Sequence, residues 1–239
     1  MKSAFRNRST RLSVEALEDR CVPAGNILVN DAEPWLIIRG DQQDNDVQLL
    51  VAANGDVTVA SNTGTINGVN GPLVIPAKGG YSWFEIETDN GDDTVLVQTA
   101  SFYHAATYLI ATGNGNDRVT ANLSSWNLSI RTGRGDDTVV VQDSYVRFLV
   151  DIKTHDGNDV VSLKGSNAFG QLGANLGAGD DRMQGDSNPG ASITWLYPAY
   201  GDYTLAFSLS GDEGDDSLEN LAYFSPAYPH LLINFESVG

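Results

Sequence analysis

Apolar and polar residues alternate on both sides of a short glycine-rich phrase that occurs six times along this chain. Each phrase ends on an aspartate, which we call the anchor; the anchors are Asp93, Asp117, Asp137, Asp159, Asp181 and Asp216. Apolar residues stand nine and seven positions before each anchor and two positions after it. The three sets are Phe84, Tyr108, Leu128, Val150, Leu172 and Phe207; Ile86, Ile110, Ile130, Ile152, Ala174 and Leu209; and Val95, Val119, Val139, Val161, Met183 and Leu218. A period of two residues predicts a half-buried strand on each side of the phrase.

The centre of each phrase carries the residues of a tight turn. Glycine stands two positions before every anchor, and Asp or Asn stands directly before it. The glycines are Gly91, Gly115, Gly135, Gly157, Gly179 and Gly214. Glycine permits positive φ, and an Asx side chain can bond its own backbone in such a turn. Each copy is therefore predicted to be a strand, a Gly-Asx-Asp turn and a second strand.

The spacing of the anchors predicts the fold. Successive anchors lie 24, 20, 22, 22 and 35 residues apart, and a period of about 22 residues is typical of a solenoid. A unit this short cannot bury its apolar face alone, whereas stacked units form a continuous core. The sequence therefore predicts an all-β, right-handed parallel β-helix with about 22 residues per coil. A β-sandwich with six similar turns is the alternative.

Stacked coils would bring the anchors close together. Equivalent residues of neighbouring coils lie about 4.8 Å apart, and two carboxylates at that distance repel by roughly 3–4 kcal/mol at an effective dielectric constant near 20. Solvent, raised pKa values or interleaved cations would each relieve this repulsion. Ca²⁺ accepts carboxylate and backbone carbonyl oxygens together. We therefore expect Ca²⁺ between the turns, and a metal-free β-helix with solvated Asp and Asn turns is the alternative.

The phrases resemble the RTX, or hemolysin-type calcium-binding, nonapeptide G-G-x-G-x-D-x-U-x. In the copies that begin at residues 112, 132 and 176, the second and third glycines, the aspartate and the apolar residue all match. The resemblance implies a β-roll in which Ca²⁺ is bound between adjacent coils by the anchors and by nearby turn carbonyls. The turn carbonyls are those of Gly91, Gly115, Gly135, Gly157 and Gly179.

This chain departs from the RTX pattern at two positions and in its period. Threonine replaces the first glycine in four copies, and Asp89, His155 and Asp212 replace the second. The four threonines are Thr88, Thr112, Thr132 and Thr154. An RTX coil carries two nonapeptides, whereas each coil of about 22 residues carries one. The resemblance therefore implies one calcium column instead of two.

Charge and composition bound the function. The 239-residue chain has 31 acidic and 14 basic residues, a net charge of −17, which argues against nucleic-acid binding and suits a cation binder. No stretch approaches 18 consecutive apolar residues, so no transmembrane helix is expected. Cys21 is the single cysteine, so no intramolecular disulfide can form.

The N-terminal segment predicts where the protein is found. Residues 12–24 (LSVEALEDRCVPA) resemble the L-x-x-LE-x-R-x-x-P-[AS] segment that opens many planctomycete envelope and extracellular proteins. The resemblance implies sorting to the cell surface or outside the cell, and a short amphipathic helix is the alternative. The segment lacks the apolar core of an ordinary secretory signal.

We divide the chain into four parts. Residues 1–25 are the sorting segment and linker, 26–83 an N-terminal β cap with the first irregular coils, 84–185 the regular repeats, and 186–239 an aromatic insertion, the last repeat and a C-terminal cap. Within the second part, residues 40–47 (GDQQDNDV) look like a worn copy with Asp46 as its anchor, which puts Val47 and Leu49 one position out of register.

The 35-residue interval between Asp181 and Asp216 contains an insertion, which we expect to interrupt the column of anchors. Aromatic residues gather in it. Trp195, Tyr197 and Tyr200 either contact a glycan or cover the exposed end of the core.

The anchors repeat evenly, whereas a catalytic site needs one asymmetric constellation. No nucleophile elbow, zinc-protease, P-loop or dinucleotide motif occurs in the sequence. We therefore expect a calcium-binding surface or extracellular protein with a structural or adhesive role, and not an enzyme. The alternative is a glycan-binding or polysaccharide-cleaving β-helix whose partner is an envelope or extracellular polysaccharide. In that case His155, the one turn histidine, is a candidate base.

Overall fold

The computed structural model describes residues 25–77, 80–100, 106–186, 192–195, 207–214 and 217–219. These residues form nineteen strands and no helix, so they contain no helix long and apolar enough to cross a membrane. The strands are β1 (Asn26–Ala32), β2 (Trp35–Arg39), β3 (Asp46–Val51), β4 (Val57–Ala60), β5 (Thr65–Ile66), β6 (Leu73–Ile75), β7 (Trp83–Glu87), β8 (Thr94–Thr99), β9 (Thr107–Asn114), β10 (Arg118–Asn122), β11 (Ser124–Arg134), β12 (Thr138–Gln142), β13 (Tyr145–Lys153), β14 (Val160–Lys164), β15 (Ser166–Ala178), β16 (Arg182–Gly185), β17 (Ser192–Trp195), β18 (Phe207–Glu213) and β19 (Ser217–Glu219).

The strands build two long sheets that form a parallel β-solenoid. The first sheet has the order β5-β1-β2-β7-β9-β11-β13-β15, with both β17 and β18 paired to β15. The second has the order β6-β4-β3-β8-β10-β12-β14-β16-β19. The strand before each Gly-Asx-Asp turn joins the first sheet, and the strand after it joins the second. Four turns of the solenoid separate Asp93 from Asp181, which confirms the predicted fold class.

The core lies between the two sheets and consists of the predicted apolar columns. Side chains nine positions before the anchors are at most 1% exposed from Phe84 to Leu172, and those two positions after the anchors are fully buried from Val95 to Met183. The register places equivalent residues beside each other, as Ile130 lies between Ile110 and Ile152. A further buried column stands four positions after the anchors. It contains Val97, Ala121, Val141 and Leu163.

The N-terminal end of the solenoid is antiparallel. Strand β1 pairs antiparallel with β2, and β4 pairs antiparallel with both β3 and β6. At the same time β2 and β3 pair in parallel with β7 and β8. The segment from Trp35 to Val51 therefore forms the first coil. Its strands also pair with the antiparallel strands that cap this end.

The worn first copy is in register, and its anchor is Asn45 instead of Asp46. Asp46 pairs with Thr94 and Val47 with Val95, so Asn45 occupies the position equivalent to Asp93. Asn45 is 2% exposed, whereas the predicted anchor Asp46 lies on the outer side. The predicted offset of Val47 and Leu49 is wrong, because the buried residue of the turn, Asn45, sets the register and the acidic residue after it does not.

The insertion after Asp181 does not interrupt the stack. Strand β19 pairs with β16 in normal register, and the Ser217 N–H donates to the Asp181 carbonyl at 2.8 Å. Most of the extra residues lie between Trp195 and Phe207, both of which pair with β15. Eleven residues, 196–206, separate Trp195 from Phe207, whereas their partners on β15, Phe169 and Leu172, are separated by two. The coil thus keeps its register on both sides of residues 196–206.

Candidate functional site

The Gly-Asx-Asp turns stack so closely that only glycine fits two positions before the anchor. Gly115 has a φ of 135°, and a Cβ built on it would lie 1.9 Å from the Gly91 carbonyl oxygen of the preceding coil. The same contact would be 2.1 Å at Gly135 and 2.0 Å at Gly157. Four residues before the anchor, positive φ is also required, and Asp89 and His155 adopt it at 77° and 74° where other copies have glycine.

The anchor side chains point into the turn stack and are buried. Their exposed fractions are 0–2%. The buried anchors are Asp93, Asp117, Asp137, Asp159 and Asp181. The predicted column of carboxylates is therefore present, but solvent does not separate its members. Asp216 lies outside the described residues, although Gly214 stacks on Gly179 in the same manner as the earlier glycines, with a built Cβ 2.0 Å from the Gly179 carbonyl oxygen.

One oxygen of each anchor closes a hydrogen-bond ladder through the turns. The Asp93 N–H donates to Oδ1 of Asp117, the Asp117 N–H to Oδ1 of Asp137 and the Asp137 N–H to Oδ1 of Asp159, each at 2.8 Å. The Asp159 N–H donates to Oδ1 of Asp181 at the same distance, and the Asn45 N–H donates to Oδ1 of Asp93 at 2.7 Å. Each anchor therefore ties its own coil to the preceding one.

The second carboxylate oxygen of each anchor, Oδ2, takes no part in this ladder. Among the described residues, the buried Oδ2 atoms of Asp93, Asp117, Asp137 and Asp159 accept no hydrogen bond of good geometry. Burial raises the pKa of Asp93 to about 6 and that of Asp137 to about 7. The same desolvation raises the pKa values of Asp117 and Asp159. Charges on neighbouring anchors add to the rise at Asp137. Each Oδ2 is thus placed where a proton or a cation would stabilise it.

A column of buried threonines accompanies the anchors. Thr88, Thr112, Thr132 and Thr154, five positions before their anchors, are fully buried. Each hydroxyl lies beside an anchor carboxyl and partly offsets the rise in its pKa. The Thr88 and Thr112 hydroxyls also donate to the carbonyl of the next threonine at 3.2 Å. In the sequence these threonines differ from the glycine of the RTX pattern. Their recurrence five positions before the anchor is the signal that could have predicted a column of buried threonines.

The Asx residues directly before the anchors form an exposed ladder that runs the opposite way. The Asn116 N–H donates to Oδ1 of Asp92, and the Asp136 N–H donates to Oδ1 of Asn116, both at 2.8 Å. The pattern continues through Asn158 to Asp180. Because only an accepting oxygen is used, Asp and Asn are equivalent here. These residues stabilise the turn and stay in contact with solvent.

Asn45 shows which groups surround the side chain at an anchor position. Its Nδ2 donates to the carbonyls of Asp41 at 3.0 Å, Thr88 at 3.3 Å and Gln43, and to Oδ1 of Asp93 at 3.2 Å. The side-chain amide of an asparagine, with its two N–H donors, therefore lies among three carbonyl oxygens at this position. An ionised aspartate there faces the same carbonyl acceptors, with a threonine hydroxyl beside its carboxyl.

The remaining predicted site residues are placed as follows. Trp195 pairs with Phe169, which in turn pairs with Val146, and both of these partners are fully buried. Tyr197 and Tyr200 lie outside the described residues. His155 is exposed, and in the described part of the chain no three His, Cys, Asp or Glu residues cluster to hold a metal.

Comparison of the chain with protein-family models, curated proteins and solved structures found no match.

Proposed function

We propose that this chain is an exported or cell-surface repeat protein that binds Ca²⁺ between its stacked turns, with a structural or adhesive role. The observation that supports the metal is the set of buried Oδ2 atoms that accept no hydrogen bond of good geometry, on Asp93, Asp117, Asp137 and Asp159. A buried polar atom without a partner costs about 1–3 kcal/mol, and more when it is charged. Because the four Oδ2 atoms lie in one column, one kind of partner could stabilise all of them.

The ligand set follows from the equivalence of Asn45 and Asp93. The carbonyls that accept from Asn45 belong to Asp41, Gln43 and Thr88. By register, the equivalent carbonyls around Asp93 are those of Asp89, Gly91 and Thr112. One carboxylate oxygen with several carbonyl oxygens is the hard, all-oxygen environment that Ca²⁺ prefers. The glycine carbonyls of the other turns would serve their anchors in the same way.

A cation in this column would also balance charge. The carboxylates of Asp117 and Asp159 both raise the pKa of Asp137, so neighbouring anchors repel when ionised. A divalent ion between two coils would replace that repulsion by attraction to both carboxylates. The ion would then link successive coils, which is a structural role.

Thermal unfolding at pH 7 tests the calcium proposal. Saturating Ca²⁺ should raise Tm by about 5–10 °C over the value in chelator, because a ligand at 100 times its Kd stabilises the fold by about 2.7 kcal/mol. Mg²⁺ should act weakly because it requires octahedral geometry and retains its waters. The double variant Asp137→Asn/Asp159→Asn should show a smaller calcium shift. Equal Tm values in Ca²⁺ and chelator would remove the metal from the proposal and leave protons on the anchors.

The export part of the proposal depends on residues 12–24. Fractionation of cells that produce the full chain should recover it in the envelope or the medium, and a variant without residues 12–24 should stay inside. Recovery of both proteins in the same fraction would contradict this part alone. We propose no catalytic role, since the described anchors are equivalent to one another.

A further inference from the structure

Two exposed aromatic rings lie side by side on the first sheet. Trp126 is 43% exposed and Phe148 is 44% exposed, and their ring centroids are 6.2 Å apart at an interplanar angle of 64°. The Arg147 guanidinium lies 5.2 Å from the Phe148 ring centroid, a cation–π distance that restrains this ring. The two rings form an apolar platform on the outer face of the solenoid.

A β-bulge creates this platform. Strands β11 and β13 pair up to Ser125 and Val146 and resume at Asn127 and Leu149, so one residue of β11 faces two of β13. Bulges re-aim side chains and recur beside binding sites. Trp126 thereby comes beside Phe148, although the repeat itself requires no aromatic residue at either position.

A groove of about 350 Å³ opens next to the platform, where the chain passes from the second sheet to the first. Its polar lining residues are Thr99, Asn122, Ser124, Asp143, Tyr145 and Ser166. Ser124 pairs with Tyr145, and Trp126 and Phe148 follow these two residues within three positions. At about 3.3 Å per residue, the platform begins within roughly 10 Å of the groove.

The groove is held in shape by its backbone and offers unused polar groups. The Ser124 N–H donates to the Thr99 hydroxyl at 2.8 Å, and the Ser166 N–H donates to Oδ1 of Asp143 at 2.9 Å. The side-chain amide of Asn122 and the hydroxyls of Tyr145 and Ser166 have no hydrogen-bond partner among the described residues. These donors and acceptors therefore remain available to a ligand.

We propose that the groove and the platform together bind a neutral saccharide chain. A pyranose ring has an apolar C–H face that suits an exposed aromatic ring and a rim of hydroxyls that suits convergent amide and hydroxyl groups. The net charge of −17 and the groove carboxylate of Asp143 disfavour acidic sugars. The site contains none of the turn residues, so it is independent of the proposed calcium binding.

Affinity electrophoresis of the full chain tests this site. The gels contain a soluble neutral polysaccharide (β-1,3-glucan, β-1,4-mannan or xyloglucan), with polygalacturonate as the acidic comparison. We expect at least one neutral polymer to retard the wild-type protein, in chelator as well as in Ca²⁺, and polygalacturonate to have no effect. Trp126→Ala should weaken retardation about tenfold, the equivalent of about 1.4 kcal/mol.

Matched variants separate binding from folding. Trp35→Ala removes another tryptophan of the first sheet, 42% exposed, and should bind as the wild type does. Tyr145→Phe removes only a hydroxyl of the groove and should weaken binding while leaving Tm unchanged, which keeps the test valid if Trp126→Ala is unstable. Wild-type migration that no neutral polymer slows, retardation by polygalacturonate alone, or equal retardation of Trp126→Ala, Tyr145→Phe and wild type would each overturn the proposal.

Discussion

The backbone N–H of Asp117 donates to the Oδ1 atom of Asp137, the equivalent residue one coil later, at 2.8 Å. At this point the chain turns between sheets, and a side-chain oxygen takes over the role of acceptor. The repeated aspartate therefore has two separable parts. Oδ1 holds the coils together, and Oδ2 is the atom that calcium binding would use.

The ladder predicts different effects for two substitutions at one position. Asp137→Ala removes the acceptor and leaves the buried Asp117 N–H unpaired, which should lower the free energy of unfolding by about 1–3 kcal/mol. Asp137→Asn keeps an accepting oxygen, as Asn45 does in the first coil, and should be much less harmful in chelator. Denaturant unfolding of both variants measures the difference. Equal destabilisation would mean that the Oδ1 bond contributes nothing specific.

The turn glycines are predicted to be required for contact as well as for φ. Gly135→Ala would put a Cβ 2.1 Å from the Gly115 carbonyl oxygen, so we expect a loss of more than about 3 kcal/mol or failure to fold. Gly68 has a φ of 75° but no heavy atom within 4 Å of a built Cβ. Gly68→Ala should therefore cost only about 1 kcal/mol. Similar losses in the two variants would show that close stacking is not the reason for glycine.

Raised anchor pKa values predict an unusual dependence of stability on pH. Asp93 and Asp137 have pKa values of about 6 and about 7 in the folded chain, against 3.8 for an unperturbed aspartate. The folded state therefore binds more protons than the unfolded state between about pH 4 and pH 7, and the free energy of unfolding should fall as pH rises through this window in chelator. Asp137→Asn should reduce the slope. A free energy that rises across the whole window for both proteins would contradict the buried ladder.

The stacked isoleucine column should dominate core stability. Ile130 is fully buried between Ile110 and Ile152, and Ile130→Ala should cost about 2–5 kcal/mol. Ser129 is half-buried on the same strand, and its Oγ has no hydrogen-bond partner among the described residues. Ser129→Ala is therefore the matched control and should change stability by less than about 1 kcal/mol. Chemical unfolding compares the two, and a small loss for Ile130→Ala would place the core elsewhere.

The sequence predicted the solenoid because its spacing and its alternation agree over every regular copy. It could not predict the antiparallel N-terminal cap, because pairing partners of short strands such as β4 and β6 leave no periodic signal. It predicted Asp46 as the first anchor because every regular copy has an aspartate there, whereas the buried turn residue of the first copy is Asn45. The burial of Thr132 and the unpaired Oδ2 of Asp137 depend on how side chains meet between coils, which a single strand pattern does not specify.

Calorimetric titration of the chain with Ca²⁺ at pH 7 is the most direct test of the calcium proposal. The four intervals between Asp93 and Asp181 predict about four ions per chain, with protons released from partly protonated anchors and detected as a dependence of the heat on the buffer. Asp137→Asn should bind fewer ions, because it removes one Oδ2 while it keeps the Oδ1 ladder. Absence of binding heat in every buffer, or an unchanged stoichiometry in Asp137→Asn, would contradict calcium binding by the anchors.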